Sequence, residues 1–350
     1  MKQALFGKTL SELQQICRDL EMPAFAASQI ADWLYKKDAE SIDEMSNLSL
    51  SNRSKLNLSY ALNTSLPSRR EESSDGTVKY LFAVAGGNFV ETVFIPDHER
   101  ATLCVSSQVG CKMNCLFCMT GKQGFSAQLT ANEILNQLRS IPESRRLSNV
   151  VFMGMGEPLD NQTALFQVLE ILTASYGYAW SPKRITVSTI GHIPGLKRFL
   201  DESECHLAVS IHSPIAEERQ KIMPVEKAFP IKDVIEVLQQ YDFSHQRRLS
   251  FEYILFEGLN DSIIHAKKLV DLLRKLDCRV NLIRFHQIPG VDLRPSSETK
   301  LYAFRDYLSA KGLICTIRLS RGEDILAACG MLSTKARDQA IDEDSGKQGV

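Results

Sequence analysis

Three cysteines fall close together in the run Cys111-Lys112-Met113-Asn114-Cys115-Leu116-Phe117-Cys118. A C-x3-C-x2-C spacing lets one short loop present three thiolates to a single soft metal centre. Structural zinc sites normally take four protein ligands, and no further Cys or His follows Cys118 closely. Three thiolates on a [4Fe–4S] cube leave one iron open to a small-molecule ligand. The spacing therefore predicts an iron–sulfur cluster; a zinc site completed from far along the chain, or unligated thiols, are the alternatives. The chain has 9 cysteines, an odd number, four of them between Cys104 and Cys118. Such crowding suits metal binding or catalysis better than a disulfide framework.

Other polar groups recur where strands are expected to end. Gly156-Glu157-Pro158 follows an apolar run. Glycine lets backbone approach a ligand, and a carboxylate can accept an ammonium group, although a tight turn would also explain the run. Ser188, Ser210, Ile211 and His212 close two further runs, His286 a third, and Cys329-Gly330 follows the last. Hydroxyls and an imidazole there can hold a carboxylate, a ribose or a base; a histidine beside a strand end can equally be a structural hydrogen bonder.

The elements that must position these groups alternate. Strands are expected at Thr102–Ser107, Asn149–Met155, Arg184–Ile190, His206–Ile211, Leu249–Phe256, Val280–Phe285 and Ile314–Leu319, with helical periodicity between them. Thr130-Ala131-Asn132-Glu133 is a capping box, and Gly312 a helix stop. Repeated βα units give an α/β fold: a partial (β/α)6-type parallel barrel, with an open doubly wound sheet as the structural alternative. In a barrel, ligands sit at the C-terminal strand ends, which is where the residues above fall. Upstream, residues 1–68 read as a small helical domain, with helices after Thr9, over Ala24–Lys37 and over Ser41–Leu48. Ser65–Gly76 reads as a linker and Val78–Val84 with Phe89–Ile95 as a β-hairpin extension. The expected divisions are thus 1–68, 69–98, a barrel domain over 99–331 and a disordered tail over 332–350.

Bulk properties set few limits. The 350 residues are 44% hydrophobic and 24% charged, with net charge −1, ordinary for a globular chain. No apolar run reaches the roughly 18 residues that cross a membrane, and no leader-like segment precedes the Thr9 capping box, so a soluble cytoplasmic protein is expected. Basic pairs such as Arg69-Arg70, Arg145-Arg146 and Arg247-Arg248 neither demand nor exclude a polyanionic partner, since phosphate binding needs a local basic face. Cys17, Cys205, Cys278 and Cys315 read as small core residues.

The cysteine loop resembles that of the radical S-adenosylmethionine (SAM) superfamily, and Gly156-Glu157-Pro158 resembles its glycine-rich SAM-binding element. The likeness narrows with Thr102–Cys111, Phe152–Leu159, Ser188-Thr189-Ile190-Gly191 and Ile325-Leu326-Ala327-Ala328-Cys329-Gly330. Together these are similar to the RlmN/Cfr family of RNA adenine methyltransferases, over about residues 5–332. That resemblance implies a cluster held by Cys111, Cys115 and Cys118, and SAM contacts from Gly156, Glu157, Ser188, Ser210, Ile211, His212 and His286. It implies that Cys329 is the S-methylcysteine, Cys104 the thiol that resolves the RNA adduct through a transient disulfide, and Glu91 a proton acceptor. An outward-facing strand residue is the plainer expectation for Glu91. The implied substrate is 23S rRNA, and tRNA as a second one; a reducing donor such as flavodoxin and a monomeric state are also implied. The Gly156–Leu159 run and the surroundings of Glu91 favour methylation at C2, as in RlmN, over C8, as in Cfr. A radical SAM enzyme with another substrate and a zinc-stabilised RNA-binding protein without turnover are the other readings. Two departures stand out: His286 where the family usually has Asn, and Ile211 and Ser213 where Leu and Ala are usual. The family's helical N-terminal part contacts RNA, which makes Arg69, Arg70 and nearby lysines candidate contacts.

Overall fold

The computed structural model describes residues 2–245 and 247–334. Ten strands form one sheet: β1 (Arg69–Glu72), β2 (Val78–Val84), β3 (Asn88–Asp97), β4 (Arg100–Cys104), β5 (Asn149–Phe152), β6 (Ile185–Thr189), β7 (His206–Ser210), β8 (Leu249–Leu255), β9 (Arg279–Arg284) and β10 (Ile314–Ile317). Their spatial order is their sequence order. β4 to β10 pair parallel, and β1 to β3 form an antiparallel meander joined to them where Val93 lies opposite Cys104. A doubly wound sheet needs a point where strand order reverses. None exists here, so right-handed crossovers stack the helices on one face and the sheet curls into an open parallel barrel. The crossovers carry Ala131–Arg139, Gln162–Thr173, Ile193–Glu202, Ile231–Leu238, Ile263–Leu273 and Glu298–Ala310, the (β/α)6 pattern expected, with β10 added at the rim.

Local chemistry fixes these elements. Every residue of β8 is buried, as a central parallel strand covered on both faces requires. Thr130 Oγ1 accepts the Glu133 N–H while Glu133 Oε2 accepts that of Thr130, a closed capping box worth about 1 kcal/mol to its helix. The N-terminal helices Leu10–Asp19 and Ala26–Tyr35 pack on each other, and the segments flanking the helical part reach the first crossover helix. There Asn132 Nδ2 donates to the carbonyls of Phe6 and Leu62. Gly7, at φ +90°, approaches so closely that a Cβ would lie 2.6 Å from Asn132 N.

Several sequence expectations are corrected. Ser41–Leu48 holds only a short 3-10 turn, Ile42–Glu44; the third N-terminal helix is Leu50–Ser59, capped by Ser49. Only Leu56 of that helix is buried, so no apolar stripe announces it. The linker-like Ser65–Gly76 contains β1, whose charged residues pair with β2. The boundary expected at residue 98 falls in the turn between β3 and β4, which share one ladder. Leu332 and Ser333 are buried rather than frayed; the rest of the expected tail, from 335, lies outside the described residues.

Candidate cofactor and thiol site

The cysteine loop leaves the barrel beyond β4. Gln137, fully buried, accepts from the Ser106 N–H and donates to the Ser106 carbonyl, which turns the chain off the sheet. Gln108–Gly110 then pairs with Phe125–Gln128 and closes the loop at its base. Gly110 sits at φ +72°, and a Cβ there would fall 1.6 Å from the Gly124 carbonyl oxygen, so no other residue fits this crossing. Inside the loop, Leu116 N–H donates to Ile222 and Met119 N–H to Gly330.

Cys111, Cys115 and Cys118 all line one cavity. Burial pushes Cys111 up to about 12 and raises Cys115 and Cys118 as well; neighbouring thiols raise Cys111 and Cys115 further. Among the described residues no three His, Cys, Asp or Glu side chains converge on one ion-sized point. The donor set, three soft sulfurs around one cavity, fits the cluster.

The wall beside the loop is built from strand ends. After β5, Gly154 and Gly156 pack against Val105 and Gln108, where a Cβ would sit 2.7 and 2.5 Å from them. The bare backbone therefore faces the cavity. Glu157 is buried; Oε1 accepts from Leu159 N and Oε2 from Ile190 N, 3.2 and 3.0 Å away. Burial pushes its carboxyl up to about 7 despite these bonds. A cationic ligand group beside it would restore its charge. Ser188 and Ser210, at the ends of β6 and β7, line the same cavity, as does His212. His212 Nδ1 accepts from Ile254 N at 3.0 Å, which places the ring proton on Nε2. Burial, then the Arg219 charge, push this imidazole down to about 3, so it is neutral at neutral pH. Phe117 packs edge-on against it.

Cys329 also lines this cavity. It is carried by residues 318–334, which cross the open side of the barrel. Asp324 accepts from Ser73 Oγ and Ser74 N, Asp75 accepts from Gly322 N, and Thr120 Oγ1 donates to Leu332 O. Cys329 is exposed to the cavity lumen, and the walls around it raise its thiol by desolvation while Arg318 opposes the rise. Cys104 is buried just outside the lining; burial, then the Cys329 charge, push it up to about 12. Arg318 lies within electrostatic reach of both thiols and pairs with Glu252 at 3.6 Å. All nine cysteines are free thiols.

The remaining expected site residues are placed elsewhere. Glu91 is buried, not outward-facing, and does not line the cavity: Oε1 lies 3.4 Å from Lys79 Nζ and Oε2 accepts from Ser333 N. Lys79 donates to the carbonyls of Ile325 and Leu326, so this buried pair grips the Cys329 segment on both sides. Ile211 is core, with its carbonyl bonded by Arg219 Nε. His286 bonds Ser320 Oγ at 2.9 Å and belongs to the 318–323 segment rather than to the lining.

Three residues that sequence reading missed organise the site. Arg219 is fully buried, pairs with Glu226, and donates to the carbonyls of Ile190, Ser210 and Ile211, tying two cavity loops together. Its helix, Ala216–Ile222, reads as polar surface, so nothing in the pattern marks it. Glu252 and Arg318 line the cavity. A lone carboxylate inside the apolar run Leu249–Leu255 was the available signal for Glu252.

Comparison with known proteins agrees with this geometry. Residues 105–273 match the radical SAM superfamily model, and residues 3–61 the ribosomal RNA large subunit methyltransferase N-terminal domain. The chain is 64% identical over 333 residues, 95% of its length and 97% of the relative's, to a protein of Parabacteroides distasonis named probable dual-specificity RNA methyltransferase RlmN. It is 55% identical to one of the same name from Porphyromonas gingivalis, covering 97% and 100% of the two chains. The crystal structure of a radical SAM methyltransferase from Sphaerobacter thermophilus superposes with TM-score 0.87 at 38% identity, over 94% of this chain and 98% of that one. With relatives of this identity matched over nearly their whole length, and with three thiols and Cys329 lining one barrel cavity, the chain belongs to the RlmN family of radical SAM methyltransferases.

Proposed function

We propose that this protein methylates C2 of an adenosine in 23S rRNA, and in tRNA, through a methyl group carried on Cys329. The observation that carries the reading is the position of Cys329 in the same cavity as Cys111, Cys115, Cys118, Glu157, Ser188 and Ser210, with Cys104 close behind. Cys111, Cys115 and Cys118 hold the [4Fe–4S] cluster, and Glu157, Ser188, Ser210 and the Gly154–Gly156 backbone hold SAM. When bound, these groups supply the methyl carbon and the radical that an electron-poor ring carbon demands.

The chain's own residues then act in order. Cys329 Sγ carries the methyl carbon into bonding reach of the base. Once that carbon is joined to the ring and the ring proton has left, Cys104 Sγ attacks Cys329 Sγ; the S–S bond forms as the S–C bond breaks, and the bonding pair stays with the product carbon, which takes a proton from solvent to become the methyl group. Arg318 favours the thiolate form of Cys104 that this attack needs. Glu91 accepts the ring proton, which requires the Ser333 N–H to leave it. A reducing donor such as a flavodoxin returns the disulfide to thiols. The protein works as a monomer in the cytoplasm; among the described residues no helix is long and apolar enough to cross a membrane.

The test is anaerobic reconstitution, followed by mass analysis of rRNA and tRNA fragments incubated with labelled SAM. Wild-type protein yields 2-methyladenosine, and Cys329→Ala yields none. Cys104→Ala accumulates protein covalently joined to RNA. A product methylated at C8 would favour the Cfr-like reading, and unchanged methylation by Cys329→Ala would overturn the thiol route.

A further inference from the structure

The parallel strands have two ends, and only one is occupied by the cavity. At the other, the residues at the starts of four strands are cationic: Arg100 opens β4, Lys183 precedes β6, Arg248 precedes β8 and Arg279 opens β9. All four are exposed. Lys183, Arg248 and Arg279 line one groove, with His206 at its floor and Asp277 at its rim. None of the four cations has a carboxylate oxygen within 4 Å among the described residues; Asp277 pairs with none of them. Elsewhere some exposed arginines are paired, Arg69 with Glu71 and Arg70 with Glu72, while others such as Arg145 and Arg274 stand without a carboxylate partner among the described residues; the rim differs in gathering several such cations together. A chain of net charge −1 thus gathers unmatched positive charge at one barrel rim.

We infer that this rim is a second RNA contact, in which Lys183, Arg248, Arg279 and Arg100 bind backbone phosphates of the substrate away from the base being modified. The inference rests on the RNA reading above and adds a surface that reading does not use. Like charges crowded without partners repel one another, and His206 beneath them is pushed down to about 4 by burial and by Arg248, Lys183 and Arg279, with no opposing carboxylate. An anion removes that repulsion. Adjacent strands lie about 4.8 Å apart, so the row from Lys183 to Arg279 crosses three strand gaps, roughly 14 Å. One phosphate ion can touch two of these side chains; a polynucleotide backbone can follow the row. The strands carrying the rim have five to seven residues and span roughly 16–23 Å at about 3.3 Å per residue, so the rim and the cavity engage separate parts of one folded RNA.

The experiment compares reconstituted wild type with Lys183→Gln/Arg248→Gln/Arg279→Gln, and with Lys267→Gln/Lys268→Gln, which removes exposed charge from an outer helix. Binding of a long 23S rRNA fragment is measured across a salt series, with methylation at saturating RNA alongside. The rim variant is expected to bind about tenfold more weakly and to lose about 2 from its log–log salt slope, near 0.7–0.9 per phosphate contact. Cluster iron and methylation at saturating RNA stay at the wild-type level, and the outer-helix variant binds as wild type does. Equal affinity and slope for rim variant and wild type overturn the inference. So does an outer-helix variant that loses as much as the rim variant, since net charge alone would then be responsible. So, too, does wild-type-like RNA binding by the rim variant combined with a melting shift by millimolar inorganic phosphate that only wild type shows; the groove would then serve a free anion. Failure of wild type to methylate any RNA would count against the proposed function and not against the binding comparison.

Discussion

The two ends of the same strands handle charge in opposite ways. Toward the cavity, charged groups are buried and each is tied down: Arg219 by Glu226 and three carbonyls, Glu252 by Ser250, Asn281 and Arg318, Glu157 by two backbone N–H groups. At the far rim the cations are exposed and unmatched. Buried charge is costly unless paired, so the cavity end spends its interactions on holding fixed geometry. Exposed charge costs little and acts at long range, which suits capture rather than chemistry. Loss of a residue at the cavity end should therefore destroy loading or folding, whereas loss at the rim should change only association.

The largest effect is expected at the cysteine loop. Replacing any of Cys111, Cys115 or Cys118 by Ala should take cluster iron from about four per chain to a trace and remove methylation entirely. Iron analysis and visible absorption check this. A brown, fully loaded Cys115→Ala protein would remove the basis for assigning the loop.

Next is Arg219. Arg219→Met strands Glu226 as a buried unpaired carboxylate and frees three carbonyls, an expected loss of about 3–5 kcal/mol in urea unfolding. Adding Glu226→Leu should recover much of it, because the stranded charge goes too. A single variant within 1 kcal/mol of wild type would show that the ion pair is not what fixes this end.

How much of this was legible in the sequence follows the same division. The barrel was readable because parallel strands are apolar runs separated by helical periodicity, and sequential order excluded the doubly wound alternative only once pairing was known. Cys111, Cys115 and Cys118 were readable because their spacing is local. The roles of Cys329 and Cys104 entered through resemblance alone: they lie far apart in sequence, and only the closing segment brings them near each other. Glu91 was half legible. Its position in β3 was, but its partner Lys79 lies on another strand and Ser333 lies in what reads as tail. Arg219 left no trace because a charged helix face normally means solvent. The strand β1 hid in a charged, turn-rich stretch because ladder pairing, not side-chain pattern, holds it in the sheet.

A smaller effect concerns one imidazole at each end. His212 is held near 3 and His206 near 4, both below the ordinary 6.5 expected when unfolded. The unfolded chain therefore binds more protons, and stability is fully present above pH 6.5 and lost as pH falls toward 4. For His212 the loss reaches about 3 kcal/mol at pH 4, and less for His206, whose groove water can enter. Thermal melting between pH 7 and 4 should steepen in wild type and flatten in His212→Asn more than in His206→Gln. Equal slopes in all three proteins would mean that other groups control the acid limb.

The smallest effect belongs to the rim itself. Arg248→Gln/Arg279→Gln removes no ion pair and leaves the Arg248 N–H bond to His206 Nδ1 intact. Surface changes of this kind lie within about 0.5 kcal/mol, and here the sign should be favourable, since two mutually repelling charges are gone. At low salt the variant should melt slightly above wild type. The gap should close by 0.5 M salt, where the Debye length falls to a few ångström and the repulsion is already screened. A loss above 1 kcal/mol would mean that these arginines hold the strand starts together, and the contrast between an anchored end and a capturing end would fail at the residues that define it.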